Sequence, residues 1–149
     1  MFGNNREDIR RFFLDCWNKR DAPLLSLSPL EQQVLHVLKL HPEYHALFED
    51  SGEALLYKDF PAGTESGNPF YHLGLHISLH EQISTDRPLG IRQLYQEFKS
   101  SYADLHEAEH AMLEILEGTL WEAQAGNRMP DDAVYLAALQ RRLREKQAR

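Results

Sequence analysis

The 149 residues are 42% apolar and 26% charged, the proportions of an ordinary soluble globular chain, and the length predicts one domain (1–149) able to bury a sizeable core. No apolar run approaches the roughly 18 residues a membrane span needs, and the acids in the opening Met-Phe-Gly-Asn-Asn-Arg-Glu-Asp exclude an export signal. Net charge is −7, yet residues 141–149 hold five cations (Arg141, Arg142, Arg144, Lys146, Arg149) against Glu145, so the preceding 140 residues carry −11, which repels a phosphate backbone and argues against nucleic acid as a partner.

From Arg6 to Lys19 the apolar residues Ile9, Phe12, Phe13, Cys16 and Trp17 recur at i, i+3, i+4, i+7 and i+8, which predicts an amphipathic helix. The lone Cys16 falls on its apolar face with no partner for an internal disulfide, as expected in a reducing cytoplasm. After a connector containing Pro23, Ser28-Pro29-Leu30-Glu31 combines an N-cap serine, proline at the first helical position and glutamate at the third, a strong start for a second helix through Leu30, Val34, Val37 and Leu38. At His41-Pro42 that helix must kink or restart, because proline has no N–H to donate. With the register maintained across the proline, His41 and His45 lie mid-face among Leu30, Val34, Val37, Leu38 and Phe48, while His36 points to solvent. Residues 51–67, with Pro61 and three glycines, are expected to form one long loop, a length that marks a functional or mobile segment and here a candidate cover over a site.

Asn68-Pro69 again reads as N-cap and first helical residue. The helix that follows carries His72, His76 and His80 four residues apart, flanked by Leu73, Ile77, Leu79 and Ile83, with Gly74, Ser78, Glu81 and Gln82 on the opposite face. Thr85 to Gly90 is turn chemistry, and Ile91, Leu94, Tyr95 and Phe98 mark a short helix. Asp104 with Glu107 starts a longer one reaching about Ala125, whose apolar arc is Leu105, Ala108, Met112, Ile115, Leu116, Thr119 and Leu120. His106 and His110 lie beside that arc, next to Leu113, Glu114, Glu117 and Trp121. Gly126-Asn127 ends it, and Pro130-Asp131 opens a last helix with core positions Leu136, Leu139 and Leu143 and a basic end. With no strand, repeat or low-complexity tract in the pattern, the fold predicted is all-α, five or six helices in a bundle-like single domain with one long loop (about 51–67).

Four His-x3-His pairs stand out: 41/45, 72/76, 76/80 and 106/110. Random placement of eight histidines gives roughly 0.4 such pairs at the helical separation. Imidazoles at i and i+4 on one face can both reach a metal at about 2.0–2.1 Å, and facing helices are where such sites are built. The expectation is that His41, His45, His72, His76, His106 and His110 line one mononuclear or dinuclear transition-metal site, completed by Glu114 (His110-x3-Glu114) or Glu117. Glu49 (His45-x3-Glu49) and His80 are secondary candidates; His80 stands about 12 Å along the axis from His72. Imidazole-rich ligation suits Zn, Fe, Ni or Cu over Mg or Ca, with Zn or Fe foremost. No phosphate loop, nucleophile elbow or His-Glu-x-x-His occurs, so no organic cofactor is indicated and zincin-type hydrolysis is unsupported. The reading is a metalloprotein acting as an oxidoreductase or hydrolase on a small molecule, with homo-oligomerisation open. The alternative is a non-catalytic helical interaction module with structural or pH-responsive core histidines.

At His41-Pro-Glu-Tyr-His45, Asn68-Pro-Phe-Tyr-His-Leu-Gly-Leu-His76, Asp86-Arg-Pro-Leu-Gly-Ile91 and His106-Glu-Ala-Glu-His110 the chain resembles a bacterial family classed as a domain of unknown function. That resemblance spans nearly the whole length and implies a small cytoplasmic bacterial protein, with no activity attached. More loosely, His72/His76 and His110/Glu114 are similar to the His-x3-His and His-x3-Glu pairs of hemerythrin-like di-iron bundles, although the order of motifs differs.

Overall fold

A computed structural model describes residues 6–60 and 68–148. Among the described residues the chain is all-α, with no strand: α1 (Arg6–Asn18), α2 (Pro29–Lys39), α3 (His45–Ser51), α4 (Pro69–Thr85), α5 (Ile91–Ser101), α6 (Leu105–Ala125) and α7 (Asp132–Gln147). Three short 3-10 segments occupy Leu24–Ser26, Pro42–Tyr44 and Gly52–Tyr57. The chain divides into two compact units, Met1–Ile77 and Ser78–Arg149, with the division falling inside α4.

Among the described residues there are seven helices, against the five or six expected, because the register does not survive Pro42. The residue before a proline is driven out of the α region, and His41 takes φ −125°, ψ 65°. α2 therefore stops at Lys39, a 3-10 turn carries Pro42, and α3 starts afresh at His45. The start of α2 is as the sequence predicts: Ser28 Oγ accepts from Glu31 N, and Glu31 accepts from Ser28 N in return.

In the first unit, α1 packs against α2 and against the 3-10 segment Gly52–Tyr57, which also covers α3. The core joins Phe13, Trp17, Val34, Leu38, Phe48, Leu55, Phe70 and Leu73. Burying each such side chain contributes about 1.5–3 kcal/mol. The stretch expected to be wholly irregular from residue 51 thus holds ordered structure up to residue 60, and α1 clamps it. Arg10, only 3% exposed, donates to the carbonyls of Leu55 (3.2 Å) and Lys58 (2.5 Å) and lies over the rings of Phe60 and Phe70 at 5.2 and 4.9 Å. Residues 61–67, on which the expected cover also rests, lie outside the described residues.

Asn68 caps α4 as predicted, its Oδ1 accepting from Phe70 N (3.0 Å) and Tyr71 N (3.3 Å). The helix buries more than one face, for Leu75 is buried as well as Leu73, His76, Ile77 and Leu79. Within the second unit, α5, α6 and α7 pack pairwise around Ile91, Leu94, Phe98, Met112, Leu116, Leu139 and Leu143. The turn before α5 needs Gly90 at φ 101°, a region L side chains avoid, and Asp86 Oδ1 braces it by accepting from Gly90 N and Arg92 N. α7 is rotated relative to the sequence expectation. Tyr135, four residues before Leu139, takes the core row and donates to Gln82 Oε1 at 2.8 Å, while Leu136 is only half-buried.

Candidate metal centre

The break at Pro42 builds the first half of the site. The last carbonyls of a helix have no intrahelical donor, and two histidines supply donors here. His41 Nδ1 lies 2.8 Å from Val37 O, and His45 Nε2 lies 2.7 Å from Leu38 O. A carbonyl only accepts, so Nδ1 of His41 carries its proton, and in the neutral form of the ring the lone pair is then at Nε2. That atom meets His72 Nε2 at 3.1 Å, and His72 Nε2 in turn meets His76 Nε2 at 3.1 Å. The rings are set nearly edge to face, with centroids 4.6–4.9 Å apart. His41 and His76 are fully buried, His72 partly. Tyr44 stacks on His41, its ring parallel within 4° at 5.5 Å, and burial pushes its phenol up.

Three ring nitrogens of one kind facing one another are an awkward hydrogen-bonding arrangement. A ring nitrogen is a donor or an acceptor, never both. With a lone pair on His41, the middle atom must share one N–H between two neighbours. An ion at about 2.0–2.1 Å from each would give every lone pair its own bond, and the edge of such a tetrahedron is about 3.3–3.4 Å. The observed 3.1 Å is close to that, so the buried histidine cluster could hold a metal.

The second unit carries two further groups. His106 Nε2 and His110 Nε2 face each other at 2.8 Å across one turn of α6, in part-buried positions. Glu109, fully buried, accepts from Tyr95 OH at 2.9 Å and pairs with His80 Nε2 at 2.6 Å. Burial first, and the charge of Glu109 second, hold the Tyr95 phenol well above its ordinary range.

The structure thus brings His41, His72 and His76 together in one unit and His106 with His110 in the other. His45, expected beside His41, instead turns its Nε2 to the α2 terminus and packs its ring on Trp17 at 4.8 Å. Glu49 is exposed, 4.0 Å from Arg20. Glu114 is exposed and accepts from Arg142 Nη1 at 2.9 Å, and Glu117 is half-buried. His80 pairs with Glu109, and His36 is solvent-exposed as expected. Sequence reasoning missed Glu109 and Tyr95. The signal for Glu109 was present, because it precedes Met112, Leu113 and Leu116 by three, four and seven residues and so sits in their apolar stripe.

Fold and site together define an all-α protein with a buried cluster of imidazoles at chelating distance. No helix among the described residues is long and apolar enough to cross a membrane. The chain belongs to the family described as a domain of unknown function (DUF1841), whose profile matches residues 5–141. No curated protein and no solved structure matches it. None of these comparisons supports the looser likeness to hemerythrin-like bundles.

Proposed function

We propose that this chain binds a transition-metal ion, zinc or iron foremost, through its clustered imidazoles. His41, His72 and His76 are the ligands in the first unit and the His106–His110 chelate in the second, with Glu114 and Glu117 as the carboxylates offered by the same helix. The observation that carries this reading is that His72 Nε2 lies 3.1 Å from the Nε2 atoms of both His41 and His76, with the His41 and His76 rings fully buried and the Nδ1 proton of His41 held by the Val37 carbonyl. Three imidazoles are the donor set of an ion that keeps one position for water or a small molecule, which is the chemistry of metal-assisted hydrolysis or oxidation.

The test is elemental analysis of the full chain purified without an affinity tag. Stoichiometric metal is expected, and it is lost in His72→Ala/His76→Ala and reduced in His106→Ala/His110→Ala. A visible absorption band assigns iron or copper rather than zinc. Metal-free protein whose melting ignores chelator overturns the reading and leaves the helical interaction module in its place.

A further inference from the structure

The second unit contains a cleft of about 540 Å³, in the size range of small-molecule sites (roughly 300–1,000 Å³). α6 contributes Glu107, His110 and Glu114 to it, and α7 contributes Arg142, Glu145 and Lys146. Its walls are mostly polar, with Ala111 and the ring of Tyr102 the apolar exceptions, so it suits a polar occupant with a short hydrocarbon part. Arg142 is fixed in the wall by its bond to Glu114 (2.9 Å), its side chain two-thirds covered, and Lys146 is steadied over the ring of Tyr102 at 4.8 Å. With His110 neutral, two cations stand against three carboxylates, leaving one net negative charge. The bare cleft therefore repels anions. A divalent ion on the adjoining His106–His110 pair reverses that sign to one net positive charge, and the cations of α7 then reinforce it.

We propose that this cleft takes a small organic carboxylate, and that the carboxylate binds only with the metal. The inference rests on the metal-binding reading above. The volume exceeds that of a bare inorganic anion, and a guanidinium matches the planar carboxylate with paired donors. Coupling of this kind is reciprocal: a carboxylate that needs the ion must also tighten the ion.

Calorimetric titration of succinate into the full chain, metal-free and zinc-loaded, tests it, with zinc content measured in parallel. Succinate is expected to bind the zinc-loaded protein at least tenfold more tightly than the metal-free protein, and zinc to bind more tightly by the same factor in saturating succinate. Arg142→Gln/Lys146→Gln lowers the succinate affinity about tenfold, and His106→Ala/His110→Ala removes the dependence on zinc. A chain that takes up no zinc sinks the metal reading and the carboxylate with it. A chain that holds its zinc and ignores succinate, or binds it equally with and without zinc, sinks the carboxylate proposal alone. Inorganic phosphate binding as tightly as succinate also overturns the carboxylate assignment.

Discussion

Single residues show how burial sets chemistry in this chain. Cys16 is 1% exposed, and its thiol is pushed up to about 12, by burial first and by the charge of Glu31 second. It stays protonated at neutral pH, so iodoacetamide should leave the native protein unmodified by mass spectrometry and label it once in denaturant. Tyr95 and Tyr135 carry the same effect to alkaline pH. Burial raises both phenols, Glu109 adds to it at Tyr95, and the bond to Gln82 opposes it at Tyr135. A phenol raised on folding contributes stability that is complete below its unfolded value of about 10 and is lost as pH climbs through the folded one. Phenolate absorbance should therefore show Tyr95 and Tyr135 titrating last of the six tyrosines, after the less strongly raised Tyr44 and Tyr57, together with the loss of helical circular dichroism. Uniform titration of all six with the helices intact would contradict the burial argument.

At the level of elements, two devices position the imidazoles. The Ser28 capping box anchors the start of α2, and Ser28→Ala should cost about 1 kcal/mol in urea denaturation. Pro42 ends the same helix and turns His41 toward His72. Pro42→Ala restores the missing N–H and relaxes the constraint on His41, so α2 can run on toward α3. Helicity is expected to hold or rise while metal affinity falls at least tenfold, because His41 leaves the cluster. Unchanged metal affinity would mean that the proline break has no part in building the site.

For the whole molecule, metal and folding are linked by mass action. An ion that binds the folded chain alone stabilises it by about 2.7 kcal/mol at a hundred times its Kd. In a chain of this size each kcal/mol moves Tm by about 2–4 °C, so zinc should raise Tm by about 5–10 °C and a chelator should reverse the shift in differential scanning calorimetry. The acidic body bears on partners at this scale too: −11 over the first 140 residues means that any nucleic-acid retention should vanish at modest salt.

Helix starts, and the histidines that share a helical face, are legible in local sequence. Ser28, Asn68, Asp104 and Asp131 cap helices as the pattern predicts, because a cap involves residues within a single turn. The His72/His76 and His106/His110 pairings likewise follow from i,i+4 geometry alone. Tertiary structure decided the rest: that His41 and not His45 joins His72, that Glu109 is buried against Tyr95, and that Tyr135 displaces Leu136 from the core. Each of those outcomes depends on partners 14 to 53 residues away in the chain, and helical periodicity says which side of a helix is apolar without saying what will be packed against it.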